Sequence, residues 1–121
     1  MKKIIFIVCF LLTLITLTSC KKQEFDLSNG KIVIGLECAY APFNWTETTK
    51  TETNVPINGK ASMYAEGYDV MIAKLIADAL ECELVIEMIE WNGLVPALTS
   101  GKIDLIIAGM SPTEERKLQI N

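Results

Sequence analysis

With 121 residues, 15 acidic and 11 basic side chains, no histidine and a formal charge of −4, the chain is long enough for one small domain with a modest core. The acidic balance argues against nucleic acid as a partner. The absence of histidine removes the commonest general base and metal ligand, and no cofactor motif is present.

Not all of the chain is available for folding. Lys2 and Lys3 precede an unbroken apolar run, Ile4 to Leu12, which continues through Thr13 and Thr16 to Leu17 and ends at small residues before Cys20. Charge, apolar run and cleavage site in that order make a secretory signal over residues 1–19, and the apolar part is too short for a comfortable membrane span. Leu17-Thr18-Ser19-Cys20 resembles the lipobox of bacterial lipoproteins, in which Cys20 becomes the first mature residue and carries a diacylglyceryl group. The alternative is an uncleaved N-terminal anchor with an incidental cysteine. Both readings place the rest of the chain outside the cytoplasm, and two or three acyl chains on Cys20 hold a membrane far more firmly than one. Loss of Lys2 and Lys3 leaves nine basic against 15 acidic side chains, a formal charge of −6.

Residues 20–30 are mostly polar and without period, which reads as a lipid-anchored tether. Ile32-Val33-Ile34, closed by Gly35, reads as a buried strand. From Thr46 to Glu66 the sequence is Thr-rich and polar, with a hairpin-turn signal at Asn58-Gly59, and reads as a surface excursion. Tyr68, Met71, Ile72, Leu75, Ile76, Ala79 and Leu80 recur at helical spacing, predicting a helix that packs this stripe into the core. Leu84 opens a second strand running to Ile89. Asn92 is the expected cap of a short helix, Leu94 to Ser100, with Pro96 near its first turn and Gly101 past its end. Ile103 to Ala108 reads as a third strand, and Ser111-Pro112-Thr113-Glu114 as the start of a new helix capped by Ser111. No terminating signal is visible at Asn121, which gives the expectation that residues 31–121 are part of a longer domain.

Strands alternating with helices imply an α/β fold, a parallel sheet flanked by helices. Cys38 and Cys82 then lie at opposite ends of a strand-and-helix unit. A helix of about 13 residues separates those ends by roughly 20 Å, so two unpaired thiols are expected.

In an open parallel α/β sheet, ligands bind beyond the carboxyl ends of the strands. Glu37, Cys38, Ala39 and Tyr40 follow the first strand, Glu90 and Trp91 the second, and Gly109, Met110 and Ser111 the third, which Ala108 closes. A helix N-terminus favours a carboxylate or phosphate, Gly109 lets the backbone approach a ligand, and Ser111 adds a hydroxyl donor. Arg116 is the single arginine in the chain, and its planar fork suits bidentate carboxylate binding. Each residue alone also has an ordinary explanation: a helix cap, a surface ion pair, a core aromatic or a solvated acid.

At these residues the sequence closely resembles the polar amino-acid-binding proteins of ABC importers, a solute-binding family with the two-lobed type II periplasmic fold. The stretches that carry the resemblance are Gly35 to Phe43, Gly67 to Val70, Glu90 to Leu98, Ser100 to Asp104 and Ala108 to Lys117. The resemblance implies that residues 31–121 are part of lobe 1 and that lobe 2 lies beyond Asn121. It implies that Arg116 and the Ser111 N–H hold an amino acid's α-carboxylate, and that the Gly109 carbonyl assists with its α-ammonium. Tyr40 and Trp91 sandwich the side chain, and Glu37 reaches its polar end, which favours a cationic or amide-bearing amino acid. The implied partners are the permease of an ABC transporter and, through Cys20, a bacterial membrane.

Two departures from the family bear on function. The excursion is longer than in many relatives, and without a second lobe to close over the ligand, lobe 1 alone is expected to bind weakly or not at all. Glu114 is also expected to return to the Ser111 N–H as a capping box, competing with a ligand carboxylate. Two rival classes share the fold: an enzyme of the cyclohexadienyl dehydratase kind and a receptor's sensory domain.

Overall fold

The computed structural model describes residues 27–120; the expected signal segment, Cys20 and most of the expected tether lie outside them. The last residues assigned to the tether belong to the domain: Leu27 packs against the core, and the Gly30 N–H donates to the Leu27 carbonyl at 2.8 Å.

The centre of the molecule is a parallel sheet. Strand β1 (Lys31–Leu36) lies between β6 (Glu83–Met88) and β7 (Leu105–Ile106), in the order β6-β1-β7. β1 pairs with β6 from Lys31 opposite Glu83 to Leu36 opposite Met88, and with β7 at Ile34–Leu105 and Gly35–Ile106. A central parallel strand is covered on both faces, which is why Ile32, Ile34, Gly35 and Leu36 are all buried. Each large apolar side chain so buried stabilises the fold by about 1.5–3 kcal/mol. A Cβ on Gly35 would fall on the Ile103 and Leu94 side chains, so its missing side chain is what lets those two residues approach the strand.

Helix α1 (Tyr68–Ala79) packs on β1 and β6, and α2 (Trp91–Thr99) on β1 and β7. The face of α1 differs from the expected one. Val70, Ala73 and Ala77 are buried and Ile76 of the expected stripe packs against the core, whereas Tyr68, Met71, Leu75 and Leu80 are exposed. Small residues permit a close approach of helix to sheet, and most of the bulkier stripe is left turned away. The helix α2 begins earlier than expected, at Trp91, so Asn92 lies inside its first turn and caps nothing. No side chain caps this helix, and Pro96 is its sixth residue.

The third strand is short. Ile103 is buried beneath the sheet, and the Asp104 carboxylate accepts from the Val33 N–H at 2.8 Å, replacing a ladder bond with a side chain. The segment Thr46–Glu66, expected as a surface excursion, contributes to a second, antiparallel sheet. Its strands are β2 (Ala39–Tyr40), β3 (Asn44–Glu47), β4 (Val55–Pro56) and β5 (Tyr64–Glu66), in the order β2-β3-β5-β4. The loop before β4 is ordered by its own polar groups. Both Thr51 and Thr53 hydroxyls donate to the Glu66 carboxylate at 3.0 Å, and the buried Asn54 donates to the Thr49 carbonyl at 2.9 Å. The Asn58-Gly59 turn signal is realised between β4 and β5, where the Lys60 N–H returns to the Ile57 carbonyl. Ile57 is buried and bridges Ile86 of β6, so the second sheet is anchored to the edge of the first.

Cys38 and Cys82 are free thiols, as expected.

Candidate functional site

The parallel strands end together, and the chain leaves each of them differently. Beyond β6 the Ile89 N–H donates to the Leu36 carbonyl at 2.9 Å, which delivers Trp91 directly into α2. Beyond β7 the Ile107 N–H donates to the Gly35 carbonyl at 3.3 Å, which sets Ala108 and Gly109 beside the end of β1. Beyond β1 the chain kinks at Cys38, a non-glycine residue in the left-handed region (φ 57°), and passes at once into β2.

These three exits enclose one open cleft of about 320 Å³, lined by Glu37, Tyr40, Trp91, Ala108, Gly109, Ser111 and Arg116. All seven residues singled out in the sequence therefore share a cavity, although they span 80 positions of the chain. Arg116 reaches across its short helix: Nη1 donates to the Ser111 carbonyl at 2.8 Å, and the guanidinium carbon lies 5.3 Å from the centre of the Trp91 ring. A planar cation over an indole face is attracted by the ring quadrupole, so the fork is held at the cleft rather than loose in solvent. Gly109 (φ 61°) has the backbone twist that glycine adopts most readily, and a Cβ there would lie 3.5 Å from the Tyr40 ring. Tyr40 itself is half exposed and stacks on Phe43, with ring centroids 5.0 Å apart. Glu37 is partly buried and makes no hydrogen bond or ion pair among the described residues. The cleft thus carries an open carboxylate, a guanidinium and two aromatic rings.

One expected element of the site is built differently. Helix α3 (Glu114–Lys117) is capped by Thr113, whose hydroxyl accepts from the Arg116 N–H at 3.3 Å; Ser111 precedes the cap and does not occupy it. Glu114 is consequently the first residue of the helix, too early to fold back onto the Ser111 N–H. Its carboxylate instead takes the Lys117 ammonium at 2.7 Å. The expected competition from Glu114 for a ligand carboxylate therefore has no geometric basis. The reason is local: Pro112 and an extended Thr113 (ψ 157°) delay the helix by two residues.

Cys38 adjoins the cleft but is 5% exposed, and burial pushes its thiol up to about 11 from an ordinary 9.0. A thiol so held is protonated at neutral pH and is a poor nucleophile. Three residues beside the site carried no functional assignment from the sequence: Phe43, Asn44 and Asp69. Asn44 is fully buried, accepts from the Cys38 N–H at 2.8 Å and donates to the Asp69 carboxylate at 2.7 Å. The available signal was a lone amide within the aromatic run Pro42–Trp45, and an acid in the first turn of α1. A smaller, mainly aliphatic cavity of about 200 Å³ adjoins the cleft along β7 and shares Ser111 and Arg116 with it.

The sequence profile of the bacterial extracellular solute-binding proteins, family 3, matches residues 32–121. The chain is 30% identical over 107 residues to the arginine-binding extracellular protein ArtP of Bacillus subtilis (strain 168), a match that covers 87% of this chain and 36% of ArtP. The chain therefore spans about a third of that relative's length. Among solved structures, an ancestral cationic amino acid solute-binding protein, AncCDT-1, is similar with a TM-score of 0.62 and 29% identity, over 78% of this chain and 36% of the other. The arginine-bound form of domain 1 from TmArgBP is similar with a TM-score of 0.59 and 40% identity, over 75% of this chain and 62% of the other.

Proposed function

This chain belongs to the bacterial extracellular solute-binding proteins, family 3, and from that premise we propose that it captures a cationic amino acid of the arginine type outside the cytoplasm and delivers it to the permease of an ABC transporter. The observation that carries the reading is that one cleft brings together the Glu37 carboxylate, the Arg116 guanidinium and the Tyr40 and Trp91 rings. An amino acid with a long cationic side chain has the matching set of charges. Its α-carboxylate takes the Arg116 fork, which turns from the Ser111 carbonyl, and the Ser111 N–H adds a second donor. Its α-ammonium is met by the Gly109 carbonyl. Its aliphatic stem lies between Tyr40 and Trp91, and its terminal cation meets Glu37.

The names of the relatives support the same ligand class: ArtP is described as arginine-binding, and AncCDT-1 as a cationic amino acid solute-binding protein. The lipobox-like Leu17–Cys20 segment supports attachment to a membrane through Cys20. A catalytic role is disfavoured by the contents of the cleft. Among the described residues Glu37 is the one carboxylate lining it, the chain has no histidine, and the neighbouring Cys38 holds its proton.

The expectation that lobe 1 binds poorly by itself meets a counter-example in the arginine-bound form of a related domain 1. We therefore read this chain as competent to bind arginine measurably, with an affinity limited by the cleft's open side. Calorimetric titration of the protein with L-arginine, L-lysine, L-glutamine and L-glutamate tests the proposal. The expected order of affinity is arginine, lysine, glutamine, with glutamate last. Heat with glutamate equal to that with arginine, or no heat with any of the four, overturns it.

A further inference from the structure

The ligand-facing residues Glu37 and Tyr40 stand on either side of a single kinked residue, Cys38, where the chain crosses from the parallel sheet into the antiparallel one. A left-handed conformation at a non-glycine residue is unfavourable and persists only where its surroundings fix it. Here both peptide groups of Cys38 are held by side chains. The Cys38 N–H donates to Asn44 Oδ1 at 2.8 Å, and the Cys38 carbonyl accepts from the Thr46 hydroxyl at 3.0 Å.

An amide side chain is nearly symmetric in shape, so it satisfies the Cys38 N–H only when its oxygen faces that way. Asp69 sets this orientation. Its Oδ2 lies 2.7 Å from Asn44 Nδ2, and a carboxylate accepts but does not donate, so the amide nitrogen must face it and the oxygen must face Cys38. Both side chains are buried, Asn44 fully and Asp69 at 4% exposure, where an unpaired polar atom is costly. Asp69 is itself fixed in the first turn of α1, where the helix dipole favours its charge, and its N–H donates to the Phe43 carbonyl at 2.8 Å.

We propose that Asp69 and Asn44 form a buried positioning relay that locks the Cys38 kink and so aims Glu37 and Tyr40 into the ligand cleft. Neither residue lines the cleft; their effect on affinity is exerted through the backbone between them and the ligand. The inference rests on the amino-acid-binding reading for its affinity readout, and on nothing but the kink for a second readout, the accessibility of the buried Cys38 thiol.

The decisive variants are Asn44→Asp and the reciprocal exchange Asn44→Asp with Asp69→Asn. The single change sets two carboxylates against each other. The exchange restores both hydrogen bonds and reverses only the one between the two side chains, because the carboxylate then at position 44 accepts both from the Cys38 N–H and from the amide then at position 69. Two quantities are measured under native conditions: arginine affinity by calorimetry, and alkylation of Cys38 and Cys82 resolved by peptide mass mapping. In Asn44→Asp, arginine affinity is expected to fall at least tenfold and Cys38 alkylation to rise at least tenfold, with Cys82 unchanged. In the exchange both return to within about threefold of the parent. Unchanged Cys38 alkylation and affinity in the single variant overturn the relay, as does an equal rise at Cys82, which signals general loosening. If the single variant does not fold, the exchange decides alone: parental alkylation supports the relay, and an exposed Cys38 or a failure to fold refutes it. A parent that gives no heat with arginine sinks the ligand reading, while the alkylation pattern still decides the relay.

Discussion

Replacing Arg116 with methionine tests the anion-binding half of the cleft, and the geometry sets the size of the effect. In the free protein the guanidinium makes one hydrogen bond to the Ser111 carbonyl at 2.8 Å and lies 5.3 Å above the Trp91 ring. Those contacts are partly exposed and together are worth about 1 kcal/mol. A ligand carboxylate taken by both arms of the fork adds two charge-assisted hydrogen bonds, each worth about 1.5–3 kcal/mol. Subtracting the contacts given up on binding leaves a net loss of about 2–5 kcal/mol in Arg116→Met. At about 1.4 kcal/mol per decade, this is roughly a 30- to 4000-fold weaker affinity for arginine. Arg116→Lys keeps the charge without the fork and should fall between parent and Met variant. Stability should change by less than about 1 kcal/mol in both, because no buried contact is lost. The assays are calorimetric titration with L-arginine and a denaturant melt run side by side. An Arg116→Met protein that is folded and binds arginine as tightly as its parent would falsify the assignment of this residue to the α-carboxylate.

Two further predictions concern Glu37 and the buried Cys38 beside it. Glu37→Gln should weaken arginine and lysine binding by roughly fivefold while leaving glutamine within about twofold, since a partly exposed charge pair contributes about 1 kcal/mol; an equal loss for all three in the same calorimetric series would remove Glu37 from side-chain recognition. Cys38 should make stability fall in alkali. The unfolded chain releases this proton near 9.0, whereas the folded chain keeps it to about 11. The contribution is therefore complete below pH 9 and is lost between pH 9 and 11, for a total of about 1–3 kcal/mol. To isolate the thiol, the measurement is the difference in urea-melt stability between the parent and Cys38→Ala at about pH 8 and about pH 10.5. A difference that does not narrow with pH contradicts the buried thiol's role.

How much of this was legible in the sequence depended on whether a signal was local. The parallel sheet follows from short runs such as Ile32–Ile34, the two free thiols from the length of the helix between them, and Glu37, Tyr40, Trp91, Gly109 and Ser111 from the rule that ligands lie beyond strand ends, while Arg116 stood out as the single arginine and Ala108 came with the family resemblance. Residues that belong to a strand exit carry their position with them, so Glu37, Trp91 and Gly109 could be placed together without coordinates. Most of what failed was decided by a partner far along the chain; the caps expected at Asn92 and Ser111 failed locally, each by two residues. The Thr-rich segment reads as loop because its strands are two to four residues long and are held by pairing with each other and by the bridge from Ile57 to Ile86.

Helix α1 shows the same limit more sharply. Its apolar residues cover two faces, and periodicity favours the one with larger side chains. The sheet selects the other, where Val70, Ala73 and Ala77 allow the helix axis to come close. That close approach has a consequence for the site. It brings the first turn of α1 against the beginning of β3, so that the Asp69 N–H reaches the Phe43 carbonyl and the Asp69 carboxylate reaches Asn44. Had the bulkier stripe of Met71 and Leu75 faced the sheet, the helix would stand farther off and rotated, and Asp69 would have pointed away from the kink at Cys38. The small residues of α1, which say nothing about ligands by themselves, are thus part of what sets the direction of Glu37 and Tyr40.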